Sequence, residues 1–472
     1  MARTKARTNA PRWPVMHAIL AQGATSPTHE WLAEVARVDP RTVSNVIRQM
    51  RDQRLVLGGH PARLGPGLGL TLGMSVGAES LRGCLVDANG DLTHQMEDEP
   101  APDQLEEPPD HLLRRLRSLA ARVLTSAMED ETLRATPGKK SLRLLGVAAA
   151  WPCPVDRDKL PAGKILRDGL WRQRESTNGN VISLPEHVAN AFGGQFTLAR
   201  CHALNDVNAG ALSVAFDDSR AAARESENDR WRVAIVIRIG GGLGASTIIM
   251  APHRRNRLSF IDSRLIEGAN GLAGELGHLP IGRRLIEDLN KANPYKELAP
   301  ISYDDWPCSC GRRHHLEAFA SGAALVRRLQ ASGYEIPIVE RTQHSMLRSS
   351  LGPDADEVHV YALRDIGRIL GRAMAGPILM LDPYSITITG SLATEHLIEG
   401  IRRERDLWAN AINDSVRLEQ TGGLPGRFEC ARGAALAVIR RYVYREFLDA
   451  KSRHLPQSIN IGPADVEALR TA

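Results

Sequence analysis

Aromatic residues are scarce, at 4% of 472 residues, against 41 Gly and 27 Pro. A core must then come from Leu, Val, Ile and Ala, a balance that suits a glycine-turned α/β protein. Cysteine is also rare: the six thiols are too few for a disulfide scaffold at this length. Cys84, Cys153, Cys201 and Cys430 stand singly in apolar contexts and read as reduced core thiols. No apolar run reaches the roughly 18 residues a membrane span requires. The basic opening MARTKARTNAPRWP has no apolar stretch behind it, so it is not a signal peptide, and the expected compartment is the cytoplasm. Net charge is small, +5 from 60 Lys and Arg against 55 Asp and Glu.

The position of that charge matters more than its size. Residues 1–63 hold ten Lys or Arg and four acids, an excess larger than that of the whole chain. The rest is close to neutral, and the basic end is a candidate polyanion contact. Charged residues at 24% and hydrophobic residues at 43% fit a globular chain of about three units.

Residues 1–12 read as a flexible basic arm and 13–68 as a small helical domain. Val15, Met16, Ile19 and Leu20 make a first apolar stripe. Ser26-Pro27 and Asp39-Pro40 are helix starts, followed by Trp31, Leu32, Val35 and Ala36, then Val43, Val46, Ile47 and Met50. Leu55-Val56-Leu57 reads as a strand and GGHPARLGPGLG as a loop or wing. Such spacing lets one helix enter a DNA major groove while another braces it. Arg41, Thr42, Asn45 and Arg48 lie opposite the apolar face; Arg and Asn suit base edges, while Thr42 and Ser44 suit phosphates. Pro61 and Arg63 could reach the minor groove, and Arg3, Lys5 and Arg7 would add phosphate attraction. A plain helical packing domain with a solvated charged face is the alternative.

From about residue 70 strands alternate with helices, at LTLGMSVG, SLRGCLVDANG, LRLLGVAAA, VAIVIRIG (233–240) and SITITG (385–390). Helices fit 110–128, 317–332, 360–380 and 432–449, and the polar stretch 282–307 reads as a long loop. This mixture argues α/β. The most specific chemistry is Cys308-Ser309-Cys310-Gly311-Arg312-Arg313-His314-His315. Two thiolates, a Gly turn and an imidazole can converge on tetrahedral Zn²⁺, with His278 of GELGHLP as a further ligand. Four protein ligands leave no place for water, so the metal would be structural. Spacing does not choose between His314 and His315.

GANGLAGELGH followed by CSCGRRHHLEAFAS resembles the signature of the ROK family (repressors, open reading frames, sugar kinases). VAAAWPCPVD, LNDVNAGAL, the glycines at 240, 242 and 244, and TGSLA extend the resemblance in order over residues 70–450. The amino-terminal part resembles the winged helix-turn-helix of the repressor branch. What the resemblance implies is a two-lobed actin-like (ribonuclease H-like) α/β body, with 69–204 as the first lobe, completed by about 446–472, and 205–445 as the second. It implies Asp206 as the base of kinase members, and Asn205, Asp206, Glu275, His278 and Glu317 as sugar ligands. It implies His278, Cys308, Cys310 and His315 as zinc ligands, with His314 where the family has Gly.

The first phosphate loop of the family, Asp-x-Gly-Gly-Thr, is here Ser75-Val76-Gly77-Ala78-Glu79. Glu79 puts negative charge where phosphate oxygens should sit, and Ser75 cannot supply the lost carboxylate. Arg238 and Ile239 replace the Gly-Thr lead-in of the second loop, Gly240, Gly242 and Gly244. The expected protein is a DNA-binding regulator, in first place a repressor, that senses a sugar or sugar derivative without kinase activity. An inverted-repeat operator and a homodimer or homotetramer follow as geometric expectations. A kinase using Asp206 and a ligand-independent DNA-binding protein are the alternatives.

Overall fold

A computed structural model describes residues 12–22, 28–58, 63–77, 80–98, 109–134, 138–152, 155–156, 164–165, 200–222, 230–252, 259–269, 271–334, 357–409, 417–420, 424–449 and 455–471. Arg3, Lys5, Arg7, Pro61, Ala78, Glu79 and Cys153 lie outside these. Three helices open the chain: α1 (Arg12–Gln22), α2 (His29–Ala36) and α3 (Pro40–Asp52). The Thr28 side chain caps α2 by accepting from the Trp31 N–H, and Asp39 caps α3 by accepting from that of Thr42 at 2.8 Å. Between them Arg37 takes a left-handed φ of 54°, which turns the chain sharply without glycine. Strands β1 (Val56–Leu57) and β2 (Arg63–Leu64) then pair antiparallel as a short ribbon.

Next come β3 (Leu70–Val76), β4 (Leu81–Val86), β5 (Leu92–Asp98), helix α4 (Pro109–Glu129), β6 (Leu142–Trp151) and β7 (Cys201–Asn205). Helix α5 (Asp206–Ala222) leads to β8 (Arg232–Ile239), β9 (Leu243–Met250) and β10 (Arg264–Ile266). Helices α6 (Arg283–Ala292), α7 (Gly322–Ala331), α8 (Glu357–Ala373) and α9 (Ala375–Leu381) precede β11 (Ser385–Thr389). The chain closes with α10 (Glu395–Ala409), β12 (Arg417–Gln420), α11 (Leu424–Ile439), a π-helical stretch Arg440–Asp449, β13 (Ile459–Ile461) and α12 (Pro463–Thr471).

Apart from the β1–β2 ribbon and a short antiparallel pair of Val155–Asp156 with Lys164–Ile165, the strands form two mixed sheets. In the first, the order is β13-β6-β3-β4-β5, with β7 also on β6; β3, β6 and β7 run parallel. Every residue of β3 is buried, as a central strand covered on both faces requires. One face meets α4 and α12 through Leu72, Leu119, Val123, Val147 and Val466. The other face belongs to a cluster that runs from Val15, Leu32 and Val46 through Leu64, Phe216 and Leu436 to Tyr444. The three-helix unit therefore shares its core with the body. The second sheet, β10-β9-β8-β11-β12, packs one face against α6, α7, α8 and α10 and the other against α5, where Val236 meets Ala211 and Val214, while Ala234, Ile248 and Met250 join the cluster just described.

Three sequence expectations shift. The stretch 282–307 is not a plain loop: Ile286 and Leu289 bury one face of α6. The 360–380 helix breaks at Met374 into α8 and α9, which leaves Pro377 in a first turn where its missing N–H costs little. Helix α11 begins eight residues before the Ala-rich run and returns to the first sheet, although it falls within the 205–445 segment. It crosses α5 so closely that a Cβ at Gly433 would lie 1.6 Å from the Ala209 carbonyl oxygen.

Helix α7 carries a local test of this packing. Its cap, Ser321, is buried and accepts from the Ala324 N–H at 3.2 Å. Ser321→Ala is expected to lower stability by about 1 kcal/mol in urea unfolding, with a larger loss only if neighbouring loops move too.

Candidate functional site

The metal centre is assembled by two short backbone ladders. The Ile281 N–H donates to the His314 carbonyl at 2.8 Å and the Leu316 N–H to the Leu279 carbonyl at 2.8 Å. That zips 279–281 to 314–316 and sets His278 beside His315, ring centroids 5.4 Å apart. A tight turn follows Cys308: the Gly311 N–H donates to its carbonyl at 2.9 Å, and Gly311 takes the positive φ that the reversal needs, 77°. Cys308 Sγ lies 3.4 Å from His278 Nδ1, and Cys310 Sγ lies 3.2 Å from His315 Nδ1. All four donor atoms fall within 4.8 Å of one another.

Bonds of about 2.3 Å to sulfur and 2.0–2.1 Å to nitrogen give tetrahedral edges near 3.6 Å. The two-sulfur, two-nitrogen set therefore fits structural Zn²⁺ in donor type and spacing. Burial pushes the Cys308 thiol up to about 12, with Glu317 and Cys310 adding to the rise, so a cation is what makes a thiolate favourable here. His278 turns its Nε2 to Glu275 Oε2 at 3.4 Å, a carboxylate that orients the ring behind the metal. His314 is not a ligand. With φ at 65° it keeps the left-handed turn, stacks on Tyr303 at 4.2 Å and puts Nε2 3.4 Å from Asp304 Oδ1.

The carboxylates named in the sequence gather at the start of β9. Glu317 Oε2 accepts from the Leu243 N–H at 3.2 Å, while Oε1 accepts from the Ser309 N–H at 3.3 Å. It thus ties the metal loop to the turn after Gly240. Gly274 presses on the Ala245 carbonyl, which brings Glu275 to the same place. Val207 occupies the space over Gly244 and brings in Asn205 and Asp206. Asn205 is a helix cap: its Oδ1 accepts from the N–H groups of Val207 at 3.0 Å and Asn208 at 3.1 Å.

Asp206 Oδ2 lies 3.7 Å from Arg238 Nε. Burial pushes the Asp206 carboxyl upward, and the guanidinium offsets part of that rise. Arg238 is itself held more firmly charged by Cys430, Asp206 and Glu429. Burial also drives the Cys430 thiol up to about 12. Arg238 marked a departure in the glycine loop, but sequence alone did not reveal it as the counter-ion of Asp206. The buried bond from Ser246 Oγ to Asn208 Oδ1, 2.7 Å, was also missed. Ser75 is buried at the end of β3, and the Gly77 N–H donates to the Ser80 carbonyl at 2.9 Å. The second loop is closed by the Gly240 N–H donating to the Gly242 carbonyl at 3.0 Å, while the Gly322 N–H donates to the Gly240 carbonyl at 2.6 Å.

On α3, Arg41, Asn45 and Arg48 are exposed, and Val43, Val46, Ile47 and Met50 are buried. Thr42 and Ser44 are half-buried and engaged locally, Thr42 donating to the Asp39 carboxylate and Ser44 donating to the Pro40 carbonyl at 3.1 Å. Arg63 is exposed on the ribbon, where it pairs with Asp91. Among the described residues no helix is long and apolar enough to cross a membrane.

A profile of the ROK family matches residues 175–440. The crystal structure of a ROK family transcriptional regulator, a homologue of the E. coli MLC protein, aligns with a TM-score of 0.55 at 17% identity, covering 93% of this chain and 98% of that one. A ROK family glucokinase from Streptomyces griseus, in complex with glucose and AMPPNP, aligns with a TM-score of 0.50 at 18% identity, covering 78% of this chain and 98% of that one. At such identities the likeness is one of fold. No curated protein matches the chain.

Proposed function

The chain belongs to the ROK family, and on that premise we propose that it is a DNA-binding transcriptional regulator, in first place a repressor, whose body senses a sugar or sugar derivative without transferring phosphate. The observation that carries this reading is α3, which turns Arg41, Asn45 and Arg48 outward over a capped start and beside an antiparallel ribbon. We read residues 13–68 as a winged helix-turn-helix, with α3 in the major groove and the ribbon as the wing. The regulator structure covers 93% of the chain and the glucokinase 78%, a difference comparable to the length of this amino-terminal part. Two copies on an inverted repeat, as a dimer or within a tetramer, are the simplest symmetric arrangement.

The body is read as two actin-like lobes with the sugar near the start of β9. On this reading Asp206, Glu275 and Glu317 would accept sugar hydroxyl hydrogens, with Asn205 and His278 as further ligands. Zn²⁺ at His278, Cys308, Cys310 and His315 would hold 279–316 in shape and fix the rings and carboxylates around it. Phosphoryl transfer needs backbone amides free to cradle phosphates and a base free to accept a proton. Here Arg238 faces Asp206, and Gly240 is engaged at both its N–H and its carbonyl. We therefore expect no ADP formation with ATP, Mg²⁺ and a panel of hexoses in a coupled assay. Sugar-dependent turnover would replace the sensor with a kinase.

A further inference from the structure

The turn from Asp87 to Asp91, between β4 and β5, is held from four directions. Asp87 Oδ1 accepts from the N–H groups of Asn89 and Asp91, each at 2.9 Å, and its Oδ2 accepts from Asn89 Nδ2 at 2.7 Å. The Asn89 side chain, buried, then imitates a strand: Oδ1 accepts from the Leu64 N–H at 3.0 Å, and Nδ2 donates to the Leu64 carbonyl at 3.0 Å. That fastens β2 of the ribbon to the turn. Gly90 lies flat on Phe216 of α5; at φ 79° a Cβ there would come within 2.3 Å of the ring. Its carbonyl accepts from Arg432 Nε of α11 at 3.0 Å, and Arg432 also binds both oxygens of Asp217.

Asp91 completes the junction. Its Oδ1 accepts from Arg220 Nη1 in the last turn of α5 at 2.7 Å, and its Oδ2 from Arg63 of the ribbon. One carboxylate thus bridges the ribbon and the far end of the helix that starts at Asp206. Seventeen residues of helix make a rod of about 25 Å. A shift at its amino end would be carried to Phe216 and Arg220, because a packed helix does not compress.

We propose that Asp91 is a latch: it competes with DNA for the Arg63 guanidinium, and Arg220 sets the strength of that competition according to the position of α5. This rests on the DNA-binding reading above and names its regulation. Asp91 and Arg63 side chains are 30% and 53% exposed, so the pair is weak enough for a phosphate to displace. With two guanidiniums on one carboxylate, losing Arg220 tightens the hold on Arg63, and losing the carboxylate releases it.

The test is fluorescence-anisotropy titration of the full chain with a random-sequence duplex across a salt series. Asp91→Asn is expected to bind up to about fivefold tighter, as an exposed ion pair allows, with a salt slope steeper by about 0.9 for one added phosphate contact. Arg220→Met is expected to bind more weakly than wild type, with a shallower slope. The gain of Asp91→Asn should vanish in the double variant with Arg63→Met. Opposite signs separate the latch from general destabilisation, which would weaken both single variants. If the wild type binds and both variants move in one direction, or Asp91→Asn leaves affinity and slope unchanged, the latch is wrong and the DNA reading stands. If the wild type binds no duplex, the DNA reading itself fails and takes the latch with it.

Discussion

Cys308→Ser is expected to abolish stoichiometric zinc and to cause the largest stability loss of any single exchange at the site. Purified wild-type chain should carry one zinc per polypeptide by elemental analysis, and the variant close to none. Apparent zinc binding energies in small structural sites reach about 10–16 kcal/mol, much of it expressed as folding. In a body of this size only the 279–316 excursion depends directly on the metal, so a loss of several kcal/mol is the reasonable scale, or roughly a 5 °C fall in Tm. Limited proteolysis should begin within that excursion. The histidines give the sharper contrast: His315→Ala should lose the metal, while His314→Ala should keep it, because His314 stacks on Tyr303 instead of facing the thiols. Zinc retained after both cysteines are replaced would exclude the proposed ligand set.

Arg41→Ala combined with Asn45→Ala is expected to weaken specific DNA binding by about a hundredfold or more, at roughly 1–3 kcal/mol for each base-reading side chain. Both side chains are exposed, so melting should barely change. Ser44→Ala should have a smaller effect, since that hydroxyl already donates to the Pro40 carbonyl and lies 3.1 Å from His29 Nδ1. Electrophoretic mobility shifts on a selected operator would measure both variants against the wild type. Equal binding by the double variant would remove α3 as the reading helix.

Local grammar made much of this legible. Proline after Asp39, the 3.6-residue stripe of Val43, Val46, Ile47 and Met50, and the closely spaced Cys308 and Cys310 each act within a few residues, where sequence speaks directly. The metal set came from donor chemistry, and the choice of His315 from the family resemblance agrees with its distance to Cys310. Helix α6 was lost because its two buried residues, Ile286 and Leu289, sit among charges over fewer than three turns. Pairings over long separations were also hidden. Nothing near Arg63 points to Asp91, and nothing near Arg238 points to Asp206; both depend on how strands and α5 are stacked. Such contacts carry no periodic signature, so only the fold exposes them.

The most direct test of the central claim is selection of genomic fragments by the purified full chain, followed by competition with an unrelated duplex at near-physiological salt and then with a hexose panel. A regulator of the proposed kind should retain a discrete inverted-repeat fragment against the competitor and release it when one panel sugar binds. Equal affinity for selected and unrelated duplexes would contradict DNA-directed function. Retention unchanged by a sugar that calorimetry shows to be bound would contradict the sensor.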